Sequence, residues 1–485
     1  MKQEIIANCS PDETRVAVIE DDKLTEIGIE RKESEKIVGN IYKGKVENVL
    51  PGISSAFVNI GLEKNAYLYI SDVVSQSLDD DKKNNNHSVN RPIDQLIKKG
   101  DIMLVQIAKE AIGTKGVKIS MDISLPGRFL VYLPYQSTVG ISKNIEDEGE
   151  RKRLKDLIDS FRPKHGGFIA RTESEGIEER DMKREIRYLC RLWENIQKRA
   201  QTAPPATLVH KDLGLVFQTV RDILSEDTKV FIIDSKDETE QVRDFVQMIS
   251  PELVDRIQHF ESKTPIFTAF NVETELQNLL SSRISLPSGG TIIIQEAESL
   301  CAIDVNTGKF TGKESQEETV TQTNIEAAKE IARQIRMRNI GGIVVIDFID
   351  MRKARNRQKV TEALYQATSR DRAKIKILPI TRLGLVEMTR ERKRESMLST
   401  LCQPCGECKG TGMVLSDESL FIRVKKEVRQ MTYGRAEGKL SIVFHPTMVP
   451  YFQERKEELV RAFRRDFTLE ADGTLRHDDY RIVWE

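Results

Sequence analysis

Histidine, cysteine and long apolar runs are all scarce in this chain, and each shortage removes a class of function. The six His residues (His87, His165, His210, His259, His445 and His477) are dispersed. None stands in an acidic motif or beside a candidate nucleophile, so no Ser/His/Asp or Cys/His arrangement is visible. No run approaches the roughly 18 apolar residues of a membrane helix, and no membrane span is expected. The opening MKQEIIANCS lacks the long apolar core of a signal peptide, which makes a cytoplasmic protein the expectation. Net charge is almost nil, at -1, so bulk charge announces no polyanionic partner. The chain has only six cysteines. Cys9, Cys190 and Cys301 are scattered and read as small buried apolar residues. Cys402, Cys405 and Cys408 are clustered, and in a cytosolic chain such clustering argues metal, not disulfide.

What is present points to a large soluble protein. Hydrophobic residues make up 39% and charged residues 31% of 485 positions, enough for about three domains or more. Charge is unevenly spread: Met351 to Glu395 carries fourteen Lys/Arg against five Asp/Glu. That local excess suits either a polyanion or a solvated amphipathic helix.

The stretch from Thr291 to Met351 organises the rest. TIIIQEAESLCAIDVN and IGGIVVIDFIDM are Ile/Val-rich runs of strand character, read as buried strands, and within them LCAIDVN and IVVIDFI each carry one acidic residue near the C-terminal end, Asp304 and Asp347. Asp304 and Asp347 could each merely cap a strand end. Two carboxylates on strands of one sheet could instead share a divalent cation, whose usual work is phosphate chemistry. Asn306, two residues beyond Asp304, projects to the same face by strand alternation. Between the runs, Ile325, Ala328, Ala332 and Ile335 line one helix face, with Gly341 expected as the C-cap.

Elsewhere the pattern gives organisation more than chemistry. Residues 1–38 read as a hairpin of two or three antiparallel strands. Residues 39–122 hold five short strands, expected to form a small barrel. The polar segment SQSLDDDKKNNNHSVNRP interrupts them and reads as an inserted loop. Residues 123–215 include a helix with Ile186, Leu189 and Trp193 at steps of three and four. Arg171 and Thr172 end a short apolar run, where a guanidinium beside a hydroxyl makes a weak phosphate-binding signal. After TAPPATLVH, strand and helix alternate from VFQTV onward, and strands here are expected to pair with the N-terminal hairpin.

YKGKV, AFVNIGLEKNAYL and KKGDIMLVQI resemble an S1 domain, an oligonucleotide-binding barrel. In such barrels aromatics stack on bases and lysines meet the backbone. Phe57 and Tyr67 are the candidate stackers and Lys115 the phosphate contact, with a core role the plain alternative for Phe57.

Taken with GFIARTESEG, AIDVN, IVVIDFIDM and the cysteine cluster, which follow in this order, the chain resembles the ribonuclease E/G family of endoribonucleases, nearer its short ribonuclease G type. The resemblance covers essentially the whole chain. It implies an α+β multidomain fold: an S1 barrel (39–122) inserted in an RNase H-like fold without its catalysis (1–38 with 216–280), a 5′-sensor domain (123–215), a DNase I-like catalytic domain (281–400), a zinc link (401–413) and a small C-terminal α/β domain (414–485). It implies that Asp304 and Asp347 hold a catalytic Mg²⁺ with Asn306 beside them. It places Gly127, Val131, Arg171, Thr172 and Lys374 around the 5′-monophosphate of a single-stranded RNA. Lys374 stands where an Arg is familiar, offering a point charge instead of a bidentate fork. Cleavage leaving 5′-phosphate and 3′-hydroxyl ends, in rRNA and tRNA processing and mRNA decay, would follow.

Cys405-Gly-Glu-Cys408-Lys-Gly410-Thr-Gly412 reads as a metal knuckle. Zn²⁺ takes four ligands in a structural site, and one C-x-x-C supplies two. A second protomer giving its own pair is the simplest completion. The resemblance implies such a shared zinc, in a homodimer or homotetramer. Cys402 is extra, and three cysteines with an outside ligand are the other arrangement. The tail after Val414 reads as two helices around the strand KLSIVF, a support for assembly. Two other classes stand against the nuclease: a non-enzymatic RNA-binding scaffold, and a zinc redox or chaperone-like protein.

Overall fold

The structure, a computed structural model, describes residues 2–32, 37–73, 92–110, 116–307, 316–381, 383–432 and 439–484. The chain forms two compact units, Met1–Met397 and Leu398–Glu485.

Among the described residues, the first unit is assembled from four sheets. The N-terminal strands Gln3–Cys9, Glu13–Glu20 and Lys23–Arg31 form an antiparallel meander. The expected pairing with the later segment is found: Gln3–Cys9 runs parallel to Thr228–Ile233, which in turn pairs with Ile257–His259. Ile5, Ala7, Val16, Phe231 and Ile233 then share one buried cluster with residues more than 200 positions apart in sequence. The segment at VFQTV is a correction. Leu215–Asp222 is a helix, with Leu215, Val216, Thr219 and Val220 buried. Its β-branched residues suggest a strand, but their spacing buries a helical face, and packing overrides propensity.

Five strands close into a barrel: Ile41–Leu50, Ser55–Asn59, Ala66–Tyr69, Lys118–Ser120 and Ile102–Lys109, the last pairing back on the first. Closure abolishes free edges within the ring. The strand Thr207–His210, after the long helix, returns to pair with Ile41–Leu50. The inserted loop falls outside the described residues except for Pro92, and so does Lys115.

A four-stranded sheet holds Leu125–Pro126, Leu130–Leu133, Gly167–Ala170 and Val139–Ile141. The helix Glu179–Thr202 covers it, burying Met182, Ile186, Leu189, Trp193 and Ile196, as the three-and-four spacing predicts.

The six-stranded sheet carries the acidic strands. Its order is Arg283–Ser285, Thr291–Glu296, Leu300–Asn306, Gly342–Asp347, Leu385–Arg390, Ile375–Ile377. The helix Gln316–Met337 connects the two central strands, as a parallel pair requires. Helices Gln316–Met337 and Ala354–Thr368 share one apolar cluster with a single face of this sheet. These strands are therefore not buried on both faces, contrary to the sequence reading. Cys301, Ile303 and Val305 point into the core, while Ala302, Asp304 and Asn306 face outward. The helix cap is also corrected. Asn339, not Gly341, takes the left-handed conformation, at φ 52°. Its N–H meets Arg336 O at 3.1 Å and that of Ile340 meets Ile335 O at 3.0 Å, a Schellman pattern.

In the second unit, the strand Leu440–Phe444 pairs with Thr468–Ala471 and Tyr480–Trp484. Helices Asp417–Thr432, Val449–Glu454 and Lys456–Phe463 fall where the sequence has helical spacing, and aromatics Phe421, Phe444, Phe452 and Phe463 fill the core.

Candidate active site and RNA-contacting surfaces

The parallel register sets Asp304 directly against Asp347 on neighbouring strands. Both are exposed, on the sheet face opposite the helices. Adjacent strands lie about 4.8 Å apart, so two carboxylates in this register come within reach of one hydrated cation. Asn306 Nδ2 donates to Asp304 Oδ2 at 2.7 Å, which fixes that carboxylate and adds no charge. The donor set is oxygen only. That chemistry suits a hard cation such as Mg²⁺ and not one that prefers sulfur or imidazole. Among the described residues no group of three or more His, Cys, Asp or Glu side chains is placed to hold a metal. A cation held by two carboxylates keeps most of its waters, which is how Mg²⁺ is commonly bound. The residues fit the group.

A second constellation surrounds the turn at Gly127. Arg171 follows the strand Gly167–Ala170, and its N–H donates to Phe129 O at 2.8 Å. Its Nη1 donates to Gly127 O at 2.5 Å. From behind, the Glu185 carboxylate accepts the backbone N–H groups of Phe129 at 2.8 Å and Leu130 at 3.0 Å. A Cβ at position 127 would lie 2.1 Å from Glu185 Oε1, so this close approach requires glycine. Burial pushes the Glu185 carboxyl up to about 7, partly offset by the two N–H groups and nearby arginines. Thr172 Oγ1 lies 3.1 Å from Ser142 Oγ. Val131 pairs with Ile169 and Pro126 on the adjoining hairpin. Lys374 is not drawn into the group by any contact. Its backbone N–H meets Glu391 Oε2 at 3.3 Å, and among the described residues no hydrogen bond or ion pair joins it to Arg171 or Thr172.

On the barrel, Phe57 and Tyr67 are directly opposed across an antiparallel pair, with ring centroids 6.1 Å apart at 63°. Their neighbours Ala56, Val58, Ala66 and Leu68 fill the barrel core. Both rings are half-buried on the other face, so Phe57 is not a core aromatic. Ser55 Oγ, which donates to Ile53 O at 2.8 Å, lies 2.6 Å from Tyr67 Oη and accepts from it. Lys118, beside Tyr67 in the parallel register, pairs with Asp72 at 2.8 Å. The sequence reading missed this lysine, and only the strand register could have found it.

In the second unit, Cys405 and Cys408 flank a tight turn. Lys409 N–H meets Cys405 O at 2.9 Å, and Lys409 and Gly410 both have positive φ, 50° and 90°. Backbone N–H groups of Gly412 and Gly410 hold the Cys408 thiol below its ordinary range. Thiolate-stabilising amides suit a metal ligand. Cys402 is exposed, and among the described residues it forms no three-membered metal-binding group with the pair.

Residues 124–393 match the profile of the Ribonuclease E/G family. The chain is 40% identical over 448 residues to Ribonuclease G of Haemophilus influenzae, spanning 92% of this chain and 91% of that protein. It is 38% identical to Ribonuclease G of Escherichia coli K12, over 92% of both chains. Ribonuclease E of Haemophilus influenzae is 34% identical over 95% of this chain but only 49% of its own length. With the acidic pair, the closed barrel and these relatives in place, the chain belongs to the ribonuclease E/G family.

Proposed function

We propose that this chain is a Mg²⁺-dependent endoribonuclease that hydrolyses single-stranded RNA to 5′-phosphate and 3′-hydroxyl ends. The observation that carries the reading is the alignment of Asp304 with Asp347 on an exposed sheet face, with Asn306 bonded to Asp304. Asp304 and Asp347 would hold the ion, which when bound lowers the pKa of a water and relieves charge on the phosphodiester. Asn306 anchors Oδ2 of Asp304 and leaves Oδ1 outside that hydrogen bond. Phe57 and Tyr67 offer π-faces that suit unpaired bases, since a duplex hides them. Arg171, Thr172 and the turn at Gly127, with Val131 beside them and Lys374 approaching on RNA binding, would recognise a 5′-monophosphate. The cysteine knuckle would share a structural Zn²⁺ with a second copy. The cellular reading is cytoplasmic rRNA and tRNA processing and mRNA decay.

The test is Asp304→Asn and Asp347→Asn, each near-isosteric. Cleavage of a 5′-monophosphorylated oligonucleotide should fall by about a hundredfold or more, the scale of losing one transition-state charge partner. Filter binding of the same RNA should persist. Cleavage at wild-type rate by either variant would overturn the assignment.

A further inference from the structure

The Arg171 guanidinium is already engaged on one edge. Besides Gly127 O, Nη1 donates to Asp222 Oδ1 at 2.8 Å. Asp222 ends the helix Leu215–Asp222 and comes from a different part of the chain than the turn it serves. Its second oxygen accepts from Arg221 Nη2 at 2.8 Å, and Arg221 Nε reaches Oδ1 at 3.2 Å. Burial alone would raise the Asp222 carboxyl, but Arg221 and Arg171 outweigh it and hold the group below the usual range. Asp222 is therefore an ionised, doubly bonded fixed point. Among the described residues, Nη2 of Arg171 has no hydrogen-bond partner, and Nε has only Glu173 at 3.5 Å. The Glu173 side chain is 40% exposed, so this contact is solvent-screened and readily displaced.

We infer that Asp222 is a positioning residue for 5′-end recognition. It locks the Nη1 edge of Arg171 so that the Nε–Nη2 edge is presented as a fork to an incoming phosphate monoester. A planar guanidinium recognises phosphate through two parallel N–H groups, and a pre-oriented fork loses less freedom on binding. A freely rotating Arg171 would bind the same anion with weaker preference. The inference rests on the proposed 5′-monophosphate sensing, and no sequence motif marks Asp222, which lies 51 residues from Arg171.

The experiment compares two single-stranded oligonucleotides, identical except for a 5′-monophosphate or a 5′-hydroxyl. The full-length protein is assayed with Mg²⁺ as wild type, Asp222→Asn, Asp222→Glu, Arg171→Ala and Arg171→Ala/Asp222→Asn. Wild type should cleave the monophosphate faster. Asp222→Asn should lower that ratio about tenfold, through KM, with the hydroxyl substrate cleaved at the wild-type rate; Asp222→Glu should restore part of it. The tenfold scale is one charge-assisted hydrogen bond. Because Asp222 acts through Arg171, the double variant should be no worse than Arg171→Ala. A wild-type ratio of one would sink the sensing reading and this inference with it. A wild-type preference kept intact in Asp222→Asn, or additive losses in the double variant, would sink this inference alone and leave sensing standing.

Discussion

Glu185 shows how much of the site is held by a group that does no chemistry. It is 8% exposed and lies on the buried stripe of its helix, three residues from Met182 and four from Leu189. A carboxylate on an apolar stripe is unusual, and that was the available signal in the sequence. Its partner, the turn at Phe129–Leu130, is 55 or more residues away and could not be read there. The carboxyl titrates at about 7 in the fold, against about 4.5 free, mainly through burial. A raised carboxyl favours the fold fully below about pH 4.5, and that contribution is lost as pH rises through about 7. The gap corresponds to about 3 kcal/mol in order of magnitude. Glu185→Gln keeps an oxygen for the two N–H groups and removes the titration. Thermal midpoints of the two proteins should nearly coincide at pH 5, and the variant should gain on wild type towards pH 8. Parallel curves across that range would show that Glu185 ionises without cost.

At the scale of elements, the helix Gln316–Met337 decides whether the acidic pair forms, because it spans the gap between the two aspartate strands. Arg336 near its end is 8% exposed and bonds both Glu20, at 2.9 and 3.2 Å, and Glu26, at 2.6 Å. Arg333 donates to Leu24 O at 3.0 Å and to Glu330 at 2.7 Å. The helix is thus clamped onto the N-terminal meander. Arg336→Met would leave the buried Glu20 without its cation and remove one from the half-buried Glu26, a loss of about 3–5 kcal/mol. Urea unfolding should shift to a clearly lower midpoint, and a shift under 1 kcal/mol, on the scale of an exposed pair, would contradict the clamp. The helix itself was legible from Ile325, Ala328, Ala332 and Ile335, since a 3.6-residue period states which face is buried. Its end was misassigned because Asn and Gly both tolerate positive φ and the sequence has both within three positions. The strand–helix–strand order was legible too, and with it the chance that Asp304 and Asp347 share a sheet. Their one-to-one register was not, because register follows from packing along the whole strand. The clamp was illegible for the same reason as Asp222: Glu20 lies 316 residues from Arg336.

For the whole molecule, the proposed zinc link at the cysteine knuckle would set how many chains make the working unit. The turn presents Cys405 and Cys408 together, with Cys408 already biased to thiolate by two backbone amides. That bias lowers the proton cost of metal binding near neutral pH, because a zinc ligand must be deprotonated. Two thiolates leave tetrahedral Zn²⁺ half-coordinated, and no third metal-binding side chain joins them among the described residues. A two-fold arrangement of identical knuckles would complete the site with four thiolates and no new residue type. Intact-mass measurement should therefore find one zinc per two chains. Removing zinc with a strong chelator should release single chains, and Cys405→Ser with Cys408→Ser should do so without chelator. Cys402→Ser should leave both mass and metal content unchanged, since Cys402 stands apart from the pair. One zinc per chain, or an assembly indifferent to chelation and to both substitutions, would show that the knuckle does not join subunits and that the contact between chains lies elsewhere.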